Sequence, residues 1–271
     1  MASKSSTDGG LMETVKTVVF ALLLAGLIRT LLFQPFWIPS GSMKPTLLIG
    51  DFLFVNKYTY GYSYASCPTL FGTDFCGFAK GSDERLFGNE PERGDVVVFK
   101  HPVHGADYIK RLIGLPGDRI QVKDGILYIN DVAAPQTEIA PFVEVYEKQG
   151  PQQGFPRCAN PRPALGGDCV KGNALETLPN GVVHEVLNIE DSRADNTKEF
   201  LVPEGNYFFM GDNRDNSVDS RFSQRGYNPG VGFVPAENII GRADRIVFSA
   251  AGSALWKFWD WRSDRYLKAI D

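Results

Sequence analysis

Three segments of the chain combine residue types that can do chemistry. They are Ile38-Pro-Ser-Gly-Ser-Met-Lys-Pro-Thr-Leu47, Asp107-Tyr-Ile-Lys-Arg-Leu-Ile-Gly-Leu-Pro-Gly-Asp118 and Gly211-Asp-Asn-Arg-Asp-Asn-Ser-Val-Asp-Ser-Arg221. A serine hydroxyl becomes an effective nucleophile when a neighbouring base takes its proton. Lysine can be that base only when neutral, and its ordinary pKa is about 10.4. Bringing it to ~7–8 by burial disfavours the ammonium by about 3–4 kcal/mol. Strand alternation sets Tyr108, Lys110 and Leu112 on one face and Ile109, Arg111 and Ile113 on the other. Lys110 therefore shares a face with bulky apolar groups, as desolvation requires. Lys44 is its rival, because in an extended segment it shares a face with Ser42. Beside a turn and a proline, however, Lys44 is expected to be the easier of the two to hydrate.

Other chemistries have weaker support. His101, His104 and His184 are the only histidines. His101-x-x-His104 lacks the H-E-x-x-H pattern of a zinc site and lies in a Pro/Gly turn, which reads as a surface loop. No G-x-S-x-G elbow is present, so a hydrolase triad has no anchor. Asn213, Asp215, Ser217 and Asp219 alternate as calcium ligands can, but the loop lacks the glycine and terminal glutamate of an EF-hand and carries Arg214 and Arg221. Taken singly, the three segments also read as a turn, a strand with one charge and a polar loop.

The elements that must position these residues are mostly strands. Strand signals fall at Asp51–Tyr58, Val96–Lys100, Tyr108–Leu115, Asn206–Met210, Val231–Pro235 and Ile239–Phe248. Arg119–Lys123 and Ile126–Ile129 flank Asp124-Gly125 as a hairpin. Residues 61–93 read as loop, and the Pro/Gly/Asn-rich residues 130–200 as a smaller inserted lobe. The expected architecture is a mostly β, antiparallel catalytic core formed by 34–129 and 201–271. Residues 1–10, rich in Ser and Gly, read as disordered.

Residues 11–33 carry an uncharged core from Val18 to Ile28, flanked by Lys16 and Arg29. A span needs roughly 20 mostly apolar residues, a length reached if both cations snorkel to the interfaces. A cleaved signal peptide lacks a good small-x-small site here, and a buried core helix is the third reading. The expectation is one transmembrane anchor, with the rest of the chain on one side of the membrane. Aromatics alternate with charges from Trp256 to Tyr266, which fits either the lipid headgroups or packing on the protein itself.

Four cysteines allow three pairings. Local bridges, Cys67 with Cys76 and Cys158 with Cys169, would close two short loops and imply an oxidising compartment; four free thiols are the alternative. The 43% apolar and 22% charged composition excludes wholesale disorder. A net charge of −4 argues against nucleic acid as the main partner.

Taken together, the anchor, P-S-G-S-M-x-P-T-L, D-Y-I-K-R with G-L-P-G-D, and G-D-N-R-D-N-S-x-D-S-R closely resemble the bacterial type I signal peptidases. The four motifs stand in that family's order over most of the chain. The resemblance implies a membrane-bound endopeptidase that cuts signal peptides from exported preproteins by a Ser-Lys dyad, without metal or organic cofactor. It places Ser42 on the nucleophile, Lys110 on the general base, and Ser40 on the hydroxyl that completes the oxyanion hole with the Ser42 N–H. Ser217 falls on the serine that orients the lysine, and Asp219 and Arg221 on a supporting ion pair. Phe36, Ile38, Pro39, Met43, Leu47, Tyr108 and Ile109 fall on or beside pockets for an Ala-x-Ala end. The implied setting is the bacterial inner membrane, with lipid contact and the catalytic domain in the periplasm. Two other readings are a self-cleaving Ser-Lys protein of the SOS-repressor type and a membrane-tethered β scaffold. The first lacks a DNA-binding segment; the second leaves Ser40, Ser42 and Lys110 without a purpose.

Overall fold

The computed structural model describes residues 8–66, 69–70, 73–74, 81, 85, 88–226, 229–251 and 257–270. Val96–Lys100, a run of β-branched and aromatic residues, lies inside a sheet with both faces covered, as continuous apolar strands require. Val96 and Val98 enter one core, with Ile38, Met43, Leu47, Leu53 and Ile246. Val97 and Phe99 enter the other, with Leu112, Phe209 and Ile239. Phe99 stacks on Phe209 with ring centroids 4.5 Å apart.

The sheet has seven strands in the order Phe33–Trp37, Asp51–Asn56, Ile239–Ser249, Val96–Lys100, Asp107–Gly114, Asn206–Met210 and Val234–Pro235. All neighbours are antiparallel. Strands distant in sequence are thus adjacent in space, and the second chemical segment (Asp107–Gly114) lies beside the strand that feeds the third (Asn206–Met210). The expected Val231–Pro235 strand contracts to Val234–Pro235, because Val231 is instead tied to Asp219 through its N–H.

The Asp124-Gly125 hairpin forms, with both turn residues at positive φ. It belongs to a second sheet, completed by Phe200–Leu201 and Val132–Ala133. A third sheet arises within residues 130–200, where Asp168–Thr177 pairs with Gln136–Glu138, Phe142–Val145 and Val183–Asn188. Cys158 and Cys169 form a disulfide across 11 residues, which fits the local pairing. Cys67 and Cys76 lie outside the described residues.

The N-terminal helix runs Asp8–Leu31, and the chain enters a strand at Phe33, so the expected anchor ends before its predicted boundary. Thr14 and Thr17 satisfy their hydroxyls on the Gly10 and Glu13 carbonyls one turn back. Among the described residues, no helix is long and apolar enough to cross a membrane. Glu13 and Lys16 interrupt its apolar surface, and the uncharged core is only about half of the ~20 residues a span requires.

Closing an 11-residue separation removes about 3 kcal/mol of unfolded-state entropy in the loop-closure picture. The double variant C158S/C169S is expected to lose ~2–3 kcal/mol in urea unfolding under oxidising conditions, and to match the wild type measured in reductant.

Candidate active site

Ser42 sits in a turn spanning 42–46 that is pinned to the core by its apolar neighbours: Met43 and Leu47 are fully buried. The Leu47 N–H donates to the Met43 carbonyl at 2.8 Å and the Lys44 N–H to the Gly41 carbonyl at 3.3 Å. Lys110 lies mid-strand, opposite Val97. Its amine is 2.6 Å from Ser42 Oγ and donates also to the Ile109 carbonyl at 3.0 Å. It lies 5.7 Å from the Tyr108 ring centroid. Lys110 is 4% exposed and Ser42 7%. Burial lowers the Lys110 pKa to about 8, against the pull of Asp219 and Asp212, which raise it. That change disfavours the ammonium by about 3 kcal/mol. A hydroxyl in hydrogen-bond reach of an amine that is often neutral at pH 8 can surrender its proton.

The 211–221 loop forms the wall behind this pair. Asp219 accepts from the Gly211 N–H at 3.0 Å and from both Nε and Nη2 of Arg221 at 2.9 Å. Burial pushes its carboxyl pKa up, but Arg221 outweighs that and holds it below the usual range. Asp212 is gripped likewise by Arg111, with two bonds of 2.9 Å, and by the Thr46 hydroxyl at 2.6 Å. Gly211 is required by closeness: a Cβ there would lie 2.3 Å from Ser217 Oγ and 2.6 Å from the Ser42 carbonyl oxygen. Ser217 is buried near Asp219, and among the described residues its hydroxyl makes no well-formed hydrogen bond. Ser40 Oγ stands 3.5 Å from Ser42 Oγ and is exposed.

Of the residues expected to line substrate pockets, Ile38, Met43 and Leu47 are buried core, with Phe36 and Ile109 packed against them. Pro39 is exposed and lines a ~200 Å³ cleft with Ser40 and Ser42; Tyr108 is half-buried beside the second core.

Two sequence expectations need correction. Lys44 is not hydrated: it is buried, and its amine is held by the Glu144 carboxylate and by Gln149 Oε1, the latter at 2.7 Å. Lys171 shares the same carboxylate. The segment is a turn rather than extended, which directs Lys44 into the third sheet instead of toward Ser42. His101 is also buried rather than part of a surface loop. Its Nδ1 accepts from the Val103 and His104 N–H groups at 3.2 Å, capping the turn, while His104 is exposed. Among the described residues no group of three or more His, Cys, Asp or Glu could hold a metal ion.

Sequence reading missed the buried partners behind the site. Arg214 grips Glu176 of the third sheet, and Arg221 Nη2 donates to the Arg214 carbonyl at 2.6 Å. His184 Nε2 lies 3.3 Å from Glu176. Arg111, Asp212 and Arg214 stood in the recognised segments, but nothing in their spacing identified their partners.

Removing one member of a buried ion pair leaves the other uncompensated, at a cost of ~3–5 kcal/mol. Glu144→Gln, which faces two ammonium groups with an amide, is therefore expected to lower unfolding stability by about 3 kcal/mol. Urea titration of the variant checks this.

The family model described as signal peptidase, peptidase S26 matches residues 11–248. Signal peptidase I of Rickettsia canadensis is 42% identical over 255 residues, covering 91% of this chain and 83% of its own. Signal peptidase I of Rickettsia prowazekii is 42% identical over 250 residues, covering 88% and 81%. A crystal structure of a signal peptidase I from Enterococcus faecalis is 27% identical, covers 57% of this chain and 97% of that one, and has a TM-score of 0.30. On the family match and the two relatives, the chain belongs to the signal peptidase family, peptidase S26, serine endopeptidases that remove signal peptides from preproteins.

Proposed function

We propose that Ser42 is the nucleophile and neutral Lys110 the general base of this endopeptidase. The observation that carries the reading is the 2.6 Å contact between a buried lysine amine and a buried serine hydroxyl. Lys110 takes the Ser42 proton as Oγ attacks the scissile carbonyl, and returns it to the departing amine of the mature chain. The acyl-enzyme on Ser42 is then released by water. The developing oxyanion is held by the Ser42 N–H and the Ser40 hydroxyl, donors worth a few kcal/mol each in such sites. Asp219 and Arg221 fix the wall behind the lysine, with Ser217 supporting it. No metal or organic cofactor enters this chemistry.

The substrate is the small-x-small, Ala-x-Ala type of signal peptide end. Phe36, Pro39, Tyr108 and Ile109 present the accessible surface for it, while Ile38, Met43 and Leu47 set the shape from below. Residues 34–129 with 201–271 form the catalytic unit, and 130–200 is an insertion into it.

The N-terminal helix tethers the enzyme to the bacterial inner membrane, with the catalytic unit in the periplasm. Support comes from Phe20, Leu22 and Leu23, each about two-thirds exposed on the helix with no protein core over them. Apolar surface of that extent requires cover. Near the C-terminus, Phe258 and Trp259 are exposed and meet lipid, while Trp261 stacks on Phe248 at 4.7 Å.

Cleavage of a purified preprotein tests the dyad. Ser42→Ala and Lys110→Ala are expected to lose at least ~10³-fold in kcat/KM, and Lys110→Arg should be equally inactive because a guanidinium stays protonated. Lys44→Met loses the Glu144 tie and is expected to be less stable, yet to keep activity well above that of the Ser42 and Lys110 variants; a result in which only the Lys44 variant is inactive overturns the assignment. The base is the deprotonated form of a group titrating near 8, so kcat/KM should climb through that pH and level off above it. A profile flat from pH 6 to 10 contradicts the assignment of the base.

A further inference from the structure

An oxyanion donor must point at the place where charge develops, and the direction of the Ser42 N–H is set by the peptide plane it shares with Gly41. Across a planar trans peptide the N–H and C=O point in opposite directions, so whatever holds one aims the other. The Gly41 carbonyl accepts from the Asn213 side chain at 2.9 Å, from a fully buried residue. It also accepts from the Lys44 N–H at the longer distance of 3.3 Å. Asn213 holds the next peptide as well, its own N–H donating to the Ser42 carbonyl at 3.1 Å. One residue thus grips the carbonyls on both sides of the nucleophile.

Among the described residues its side chain makes no other hydrogen bond. Asn213 Oδ1 is buried and, among the described residues, has no partner. An asparagine kept buried with half its amide unused is held there for the half that is used, since an unsatisfied buried carbonyl is costly. The Ser42 N–H makes no hydrogen bond among the described residues, which leaves it available to a ligand. Asn213 is in turn fixed from outside the catalytic sheet. It bridges Leu187 of the third sheet, whose N–H donates to the Asp212 carbonyl at 2.8 Å.

We infer that Asn213 is a positioning residue for the oxyanion site: by holding the Gly41 carbonyl inward it turns the Ser42 N–H toward the substrate carbonyl, and Leu187 of the inserted sheet holds Asn213 in place. The inference rests on the reading of Ser42 as nucleophile. It separates two functions of the 211–221 loop. Asp219 and Arg221 act on the lysine, whereas Asn213 acts on the peptide that stabilises the transition state.

Kinetics of preprotein cleavage by Asn213→Ala and Asn213→Leu distinguish these functions. Both variants lack the amide donor, and leucine keeps nearly the same shape. Each is expected to lower kcat by about 10²-fold, the scale of a misplaced catalytic group, with KM within about twofold and the pH midpoint near 8 unmoved. Thermal melting of each variant identifies the folded ones. Leucine is the test if alanine collapses the site, and alanine if leucine overpacks it. Undiminished kcat in a folded variant overturns the inference, provided Ser42→Ala is inactive in the same assay. A fall in kcat accompanied by a shifted pH midpoint also overturns it, because Asn213 would then be acting through Lys110. Activity retained in Ser42→Ala overturns the nucleophile itself, and the oxyanion assignment with it.

Discussion

The site depends on keeping one amine dry while compensating every other charge around it. Among the described residues three guanidinium groups are buried behind the Ser42–Lys110 contact, and each has a carboxylate: Arg111 with Asp212, Arg214 with Glu176 and Arg221 with Asp219. Among the described residues Lys110 makes no such ion pair. Arg111 and Arg221 hold Asp212 and Asp219 ionised. Desolvation favours the neutral amine and outweighs the pull of those two carboxylates, which still raise its pKa. Arginine suits this arrangement because it grips a carboxylate with two bonds and stays protonated, so the wall keeps its charge while Lys110 performs the proton exchange proposed for it. Lys44 is the contrasting case in the same turn as Ser42. It too is buried, and burial lowers its pKa despite the opposing pull of Glu144, but its amine is tied to that carboxylate and to Gln149 instead of reaching Ser42.

The fold makes this arrangement rigid. Lys110 stands in the middle of an eight-residue strand with neighbours on both sides, and the strand is packed on both faces. A group so placed does not wander, which is what its proposed role as base to Ser42, 2.6 Å away, demands. Ser42 sits on the less regular element, a turn, and owes its position to Met43 and Leu47 beneath it and to Asn213 beside it. Met43 and Leu47, proposed to shape the substrate surface, therefore also anchor Ser42. Trimming them would disturb the serine as well as the specificity.

The legible parts of the chain were those where local pattern and tertiary context agree. Val96–Lys100, Asp107–Gly114, the Asp124-Gly125 hairpin and Ile239–Ser249 carry β-branched and aromatic residues bounded by turn signals, and they are strands. The third sheet was not legible. Asp168–Thr177 reads DCVKGNALET, and two of its inward positions are Lys171 and Glu176, both buried. A charged residue pointing inward erases the apolar/polar alternation by which a strand is recognised. Its burial makes sense only once Glu144 and Arg214, distant in sequence, are seen opposite it. Lys44 is a parallel case: its local sequence says hydrated, and only a partner 100 residues away says otherwise.

Those inward charges define what the third sheet does. Glu144 holds Lys44, two residues from Ser42; Glu176 holds Arg214, whose carbonyl receives Arg221; Leu187 bridges Asn213. The serine turn and the 211–221 loop are thus both tied to this sheet by buried polar contacts. Apolar packing of similar area would stabilise as well or better, since desolvating ion pairs is costly. What ionic contacts supply is registry: a buried carboxylate tolerates only the position in which its cation meets it, whereas apolar surfaces slide with little penalty. A segment that looks in sequence like an accessory to the catalytic sheet is, by this argument, the part that fixes where the serine turn and the 211–221 loop stand relative to the lysine.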